Sequence, residues 1–167
     1  MSSGRQNKLV GQTGEYLVAA ELSRRGYIAT TFTGNVPDYD IIASNDKGKH
    51  ISVQVKSSNS NSWQFGDITR FCEVKFRGKQ QIIGKKKNNP INRLVVIFVR
   101  LNKEGKDRYF LLSWNSLRNV IVSDYKAYLK KHNLKRPKTW NSLHCAISIK
   151  EIVKYENKWE VIGKYLN

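Results

Sequence analysis

Between residues 50 and 57 apolar and polar positions alternate strictly. Ile51, Val53 and Val55 fall on one side of an extended chain, and Ser52, Gln54 and Lys56 on the other. That period predicts a strand over His50 to Ser57 and puts Gln54 and Lys56 on a shared face. Upstream the spacing is helical. Glu15, Val18, Ala19 and Leu22 make one stripe, and Leu9, Thr13, Tyr16, Leu17 and Ala20 make another. The pair of stripes predicts a helix over 7–25 that is packed on two sides. Glu15 projects from a mostly apolar stripe; taken alone, a glutamate at the edge of that stripe explains it as well as a functional role does. Gly26 is placed to cap the helix, and Tyr27 to Thr33 reads as a strand. Gly34 to Asp38 is turn chemistry, Tyr39 to Ser44 a second strand, and Asn45 to Lys49 the hairpin turn into the strand at 50.

Farther along, Ser57 to Ser62 is a polar loop, and Trp63 to Phe65 and Phe71 to Phe76 read as short strands. Leu94 to Leu101 is a continuous apolar run suited to a buried central strand. Arg108 to Ser113 follows as another strand, and Ser113 or Asn115 can cap a helix running to about Lys131. The segment His132 to Leu143 reads as a basic loop. Residues 147–166 read as a short helix or strand with a closing aromatic segment around Trp159. With no internal repeat or linker-like stretch, one domain over 1–167 is expected, with an elaboration from about residue 102.

Composition narrows the partners. The 167 residues are 40% hydrophobic, enough for a real core, yet carry a formal charge of +17. Self-repulsion of that size calls for an anionic partner, and clustered Lys and Arg gain free energy by releasing counterions from phosphates. DNA is the partner expected; no lipidation motif or basic amphipathic anchor points to a membrane. From Val74 to Lys103 there is no acidic residue. The triplet Lys85, Lys86 and Lys87 and the stretch holding Lys130, Lys131, Lys135, Arg136 and Lys138 are the candidate phosphate contacts, with Trp114, Tyr125, Tyr128 and Trp140 as candidate stacking platforms. Cys72 and Cys145 lack metal-ligand spacing and are expected to be buried and structural. The start of the chain lacks a signal-peptide apolar stretch, so a reducing, cytoplasmic location is the default expectation.

One ordered set of motifs carries chemistry: Gly11-Gln12-Thr13-Gly14-Glu15 on the first helix, Pro37-Asp38-Tyr39-Asp40-Ile41-Ile42-Ala43 entering the second strand, and Val53-Gln54-Val55-Lys56-Ser57-Ser58 on the third. In that order it resembles the PD-(D/E)XK nuclease superfamily, and within it the branch of archaeal Holliday-junction resolvases. The resemblance implies an α/β fold, with a restriction-endonuclease-like mixed central β-sheet flanked by α-helices. It implies a divalent-metal-dependent endonuclease acting on DNA in repair, recombination, restriction or mobile-element defence, with Mg²⁺ or Mn²⁺ as cofactor and a homodimer as the assembly. By resemblance Asp40, directly before the apolar strand, is the principal metal ligand, rather than Asp38 of the literal Pro-Asp pair. Glu15 is a second ligand, the Val55 carbonyl adds an oxygen, and Lys56 orients or deprotonates the water. Gln54 stands where the family usually has an acid. Its amide oxygen can bind a metal but brings no charge, which opens the alternative of a nucleic-acid-binding module that keeps the fold without turnover. Glu73-Val74-Lys75 also matches the acid-x-Lys text but has no Asp-bearing hairpin partner before it.

Overall fold

The computed structural model describes residues 4–32, 38–91 and 93–167. The expected turn at Gly34 to Asp38 lies outside these residues except for Asp38, as does Pro37. A long helix, α1 (Gly4–Arg24), leads into β1 (Ile28–Thr31), β2 (Ile41–Ser44) and β3 (His50–Ser58). Then come β4 (Ser62–Asp67), β5 (Cys72–Arg77), β6 (Gln80–Lys86), β7 (Leu94–Arg100), β8 (Arg108–Ser113) and α2 (Trp114–Lys131). The chain closes with β9 (His144–Ser148), α3 (Ile149–Ile152) and α4 (Glu160–Leu166).

Five strands form the central sheet in the order β1-β2-β3-β7-β8. The β3–β7 pair is parallel and the other three pairs are antiparallel. A parallel neighbour needs a long crossover, and here β4, β5 and β6 lie within it. Strand β7 is apolar from Leu94 to Val99, the stretch covered on both faces. Val95, Ile97 and Val99 pack with Val18 and Leu22 of α1 and Ile162 and Leu166 of α4. Val96 and Phe98 pack on the opposite side with α2 and with the aromatic residues Trp63, Phe65 and Phe71. Ser113 caps α2, its Oγ accepting the Ser116 N–H at 3.2 Å. No helix among the described residues is long and apolar enough to cross a membrane.

Helix α1 corrects one expectation. It packs on one side only: Gly14, Val18 and Leu22 are its buried residues, whereas Leu9 and Tyr16 are 53% and 57% exposed. Of the second stripe only Leu17 reaches the core, half-buried against it, while Leu9, Thr13, Tyr16 and Ala20 are exposed with no second layer over them among the described residues. The strand β6 is an addition, pairing with β5 as a separate two-stranded ribbon. Cys72 and Cys145 are free and buried, as their spacing suggested.

Candidate functional site

The site forms where β2 ends and β3 continues. The two strands run antiparallel with Ile41 opposite Val53, and the Asp40 N–H donates to the Val53 carbonyl at 2.8 Å. Beyond that point β3 pairs with no strand on its β2 side among the described residues. The Asp40 side chain occupies the gap, its Oδ2 accepting the Val55 N–H at 2.6 Å. A strand residue directs its N–H and C=O to the same edge, so the Val55 carbonyl projects beside this carboxylate. Asp38, two residues earlier, is turned away by a left-handed backbone (φ +72°) and pairs with Arg70 at 3.3 Å.

Glu15 reaches this edge from α1 because of its neighbour. A Cβ on Gly14 would lie 1.6 Å from Ser57 Oγ, 2.8 Å from Ser57 Cβ and 3.5 Å from Val55 Cγ1. Only a glycine allows the helix to lie this close to the end of β3. Gly11, three residues earlier, meets nothing within 4 Å. Burial, and after it the charge of Asp40, push the Glu15 carboxyl above the ordinary carboxylate range. Burial also pushes Asp40 upward, the Val55 N–H and the nearby Lys56 ammonium opposing it without prevailing. Two half-buried carboxylates, both raised by burial and one also by the charge of the other, are the electrostatic environment that a cation relieves.

Gln54 and Lys56 extend from β3 on the α2 side of the sheet, next to Val96 and Phe98. Gln54 is only 6% exposed, and its Oε1 is buried without a hydrogen-bond partner among the described residues. An amide oxygen left so is costly unless something binds it. Gln54 and Asp40 are the residues next to the last pair of the β2–β3 ladder, Ile41 with Val53. Lys56 Nζ stands 6.0 Å from the centre of the Phe65 ring, where β4 borders the site. A cleft of about 420 Å³ opens between the start of α1 and the end of β3, lined by Gln6, Asn7 and Val10 and the polar run 57–60. Among the described residues no three His, Cys, Asp or Glu side chains gather. The donors present are instead two carboxylates, an amide oxygen and a backbone carbonyl. That all-oxygen set, with one buried member unpartnered, fits a hard divalent cation.

The structure therefore brings Glu15, Asp40, Gln54, Val55 and Lys56 to one end of β3. Glu73-Val74-Lys75 lies on the separate β5–β6 ribbon, with Glu73 and Lys75 exposed. The lysines at 85–87, 130, 131, 135 and 138 are exposed, Lys86 donating to Asn119 Oδ1 at 2.7 Å. Arg136 is half-buried and committed to internal contacts, over the rings of Tyr125 and Tyr128 and donating to Ser142 Oγ. Trp114 and Tyr125 are core residues, Trp114 stacked on Phe71. Sequence reasoning passed over Ser57, the residue that Gly14 accommodates, and the ribbon completed by β6. The Gly78-Lys79 pair between two strand-like runs was the signal for the ribbon.

No family model and no curated protein matches this chain. Among solved structures it is similar to the bacterial homing endonuclease I-Ssp6803I, at 11% identity over 94% of this chain and 93% of that one, with a TM-score of 0.52. It is also similar to Hjc, a Holliday junction resolvase of the archaeal hyperthermophile Archaeoglobus fulgidus, at 13% identity over 94% and 98%, with a TM-score of 0.46. At these identities the likeness is one of fold. The fold is restriction-endonuclease-like, a mixed sheet flanked by helices, as the motifs implied.

Proposed function

We propose that the chain is a divalent-metal-dependent endonuclease that hydrolyses DNA phosphodiester bonds. The observation that carries this reading is the buried Gln54 amide oxygen, without a partner among the described residues, next to a strand end where Asp40 and a second carboxylate, Glu15, come together. Asp40, Glu15, Gln54 and the Val55 carbonyl would hold the cation. Bound there, it would neutralise the anionic phosphate and lower the pKa of water. Asp40 is fixed by the Val55 N–H, which leaves its other oxygen available as a ligand. Lys56 places an ammonium at the same end of the strand, where it orients the attacking water and offsets charge building on the phosphate. The net charge of +17 supports a polyanionic substrate, with Lys85, Lys87, Lys130, Lys131, Lys135 and Lys138 as its exposed phosphate contacts. Arg136 supports the fold of the basic loop in this account rather than gripping DNA.

The test is nicking of supercoiled plasmid in Mg²⁺ or Mn²⁺. The wild-type protein should convert it to the open circle, and Asp40→Ala and Lys56→Ala should each lower the rate by at least about a hundredfold, the range attached to a positioned acid–base or electrostatic group. One observation favours a second reading, a DNA-binding module without turnover: the neutral Gln54 leaves the site with only two carboxylates. Tight DNA binding with no cleavage of linear, supercoiled or branched DNA in either metal would decide for it.

A further inference from the structure

The ribbon of β5 and β6 is held rigidly from behind and left bare in front. On its back, Val74 and Ile83 pack against the core. Gln81, 1% exposed, is fastened from several sides. Its N–H donates to the Leu134 carbonyl at 2.7 Å, and its side-chain amide donates to the carbonyls of Trp140 at 2.7 Å and Ser142 at 3.1 Å. Its Oε1 accepts the Tyr125 hydroxyl at 2.7 Å. Phe76, opposite Gln81, meets the Trp140 ring edge-on at 5.7 Å. The Arg70–Asp38 pair links the approach to the ribbon with the segment that enters Asp40.

Alternation sends the neighbouring positions outward. Lys75 pairs with Ile82 and Arg77 with Gln80, and all four are exposed. Neither the Lys75 nor the Arg77 side chain has a hydrogen bond or ion pair among the described residues. Gln80 makes one long contact, donating to the Asn133 carbonyl at 3.4 Å. The tip is a two-residue turn with Gly78 at φ +57°, and Lys79 follows it. Glu73 is the sole acid from β5 to β6, set at the base beside Gly84.

We infer that this ribbon is a sequence-reading element that enters the major groove of duplex DNA with its Lys75, Arg77, Gln80 and Ile82 face inward. The inference rests on the DNA reading above and extends it from phosphate contact to base recognition. A major groove about 12 Å wide admits a two-stranded ribbon. The outward face offers the side chains that groove selects: Arg and Lys for guanine O6 and N7, Gln for adenine N6 and N7, and an apolar side chain for the thymine methyl. A surface serving only phosphates would need positive charge alone; Gln80 and the exposed Ile82 add nothing to that.

The experiment is selection from a random-sequence duplex pool, without divalent metal, by the wild-type chain, Arg77→Gln and Lys85→Ala. Thermal melting of each variant checks that it is folded. The wild-type chain should enrich a motif, Arg77→Gln should change base preference at one or two adjacent positions, and Lys85→Ala should weaken binding with the motif unchanged. Replacing the matching guanine by 7-deazaguanine should weaken wild-type binding by about tenfold and leave Arg77→Gln indifferent. No enriched motif, or the same motif from Arg77→Gln, overturns the inference while metal-dependent nicking stands. A ribbon-dependent motif from a chain that nicks nothing in Mg²⁺ or Mn²⁺ upholds it and removes the enzyme reading. Failure to bind any duplex overturns the inference, and failure to nick in either metal as well removes both.

Discussion

Gly14 should be the position where a single methyl group separates activity from stability. In Gly14→Ala the new Cβ would meet Ser57 Cβ at 2.8 Å and Ser57 Oγ at 1.6 Å. The hydroxyl can rotate away, but the Cβ cannot. Carbon atoms settle at about 3.5–4.0 Å, so the helix must lift from β3 by roughly 1 Å. Overpacking of this kind costs about 1–3 kcal/mol. The greater helix propensity of alanine returns about 1 kcal/mol, so the net loss should be no more than about 2 kcal/mol. Glu15 travels with the helix, and a misplacement of about 1 Å at a catalytic constellation can cost a hundredfold in rate. The assays are thermal melting and plasmid nicking on Gly14→Ala, Gly11→Ala and the double variant Gly14→Ala/Ser57→Gly. Gly11 faces open space, so Gly11→Ala should stabilise by up to about 1 kcal/mol and leave nicking unchanged. The double variant removes both Ser57 atoms in the clash and should recover most of the rate. A Gly14→Ala protein that nicks at the wild-type rate would refute the reasoning, because the close approach would then not position Glu15.

Mg²⁺ should raise the melting temperature of the metal-free protein near neutral pH. Glu15 and Asp40 both have carboxyl pKa values raised by folding. The folded state therefore loses stability as pH climbs from the unfolded carboxylate range, about 3.9–4.3, through the raised native values, and a cation offsets that loss. At ten to a hundred times its Kd the ion contributes about 1.4–2.7 kcal/mol, several degrees for a chain of this size. The gain should fade as pH falls into that window and vanish in Asp40→Asn; an equal response in Asp40→Asn would count against the site. Gln54→Glu should lower the Mg²⁺ concentration giving half-maximal nicking, and should destabilise the metal-free protein by burying a further unpaired carboxylate. An unchanged Mg²⁺ requirement would place residue 54 outside the metal's reach.

The end of the sheet that holds the candidate site was legible because its signals are local. Alternation along 50–57 put Gln54 and Lys56 on one face, and the apolar run at 94–101 announced the central strand β7. The two-sided packing expected of α1 failed because helical spacing shows which residues share a stripe, not how many layers exist to cover it. Leu9 and Tyr16 are apolar yet face solvent. Gln81 escaped notice for the opposite reason: a glutamine in a polar, basic stretch reads as surface, and its burial depends on carbonyls from Leu134, Trp140 and Ser142 far along the chain. Arg136 was read as a phosphate contact on charge alone, and only tertiary packing reveals the tyrosine rings beneath it. The meaning of Gly14 was likewise hidden, since the motif shows a glycine beside a glutamate but not the serine against which it fits.

A crystal soaked in Mn²⁺ and measured for anomalous scattering tests the central claim most directly. The account predicts a peak at the end of β3 within about 2.0–2.3 Å of an Asp40 carboxylate oxygen and the Val55 carbonyl, the range of hard divalent ions with oxygen ligands. The Gln54 amide oxygen should turn toward it, and Glu15 should bind directly or through water. A fully occupied Mn²⁺ elsewhere on the chain, with no peak between Asp40 and Glu15, would contradict it.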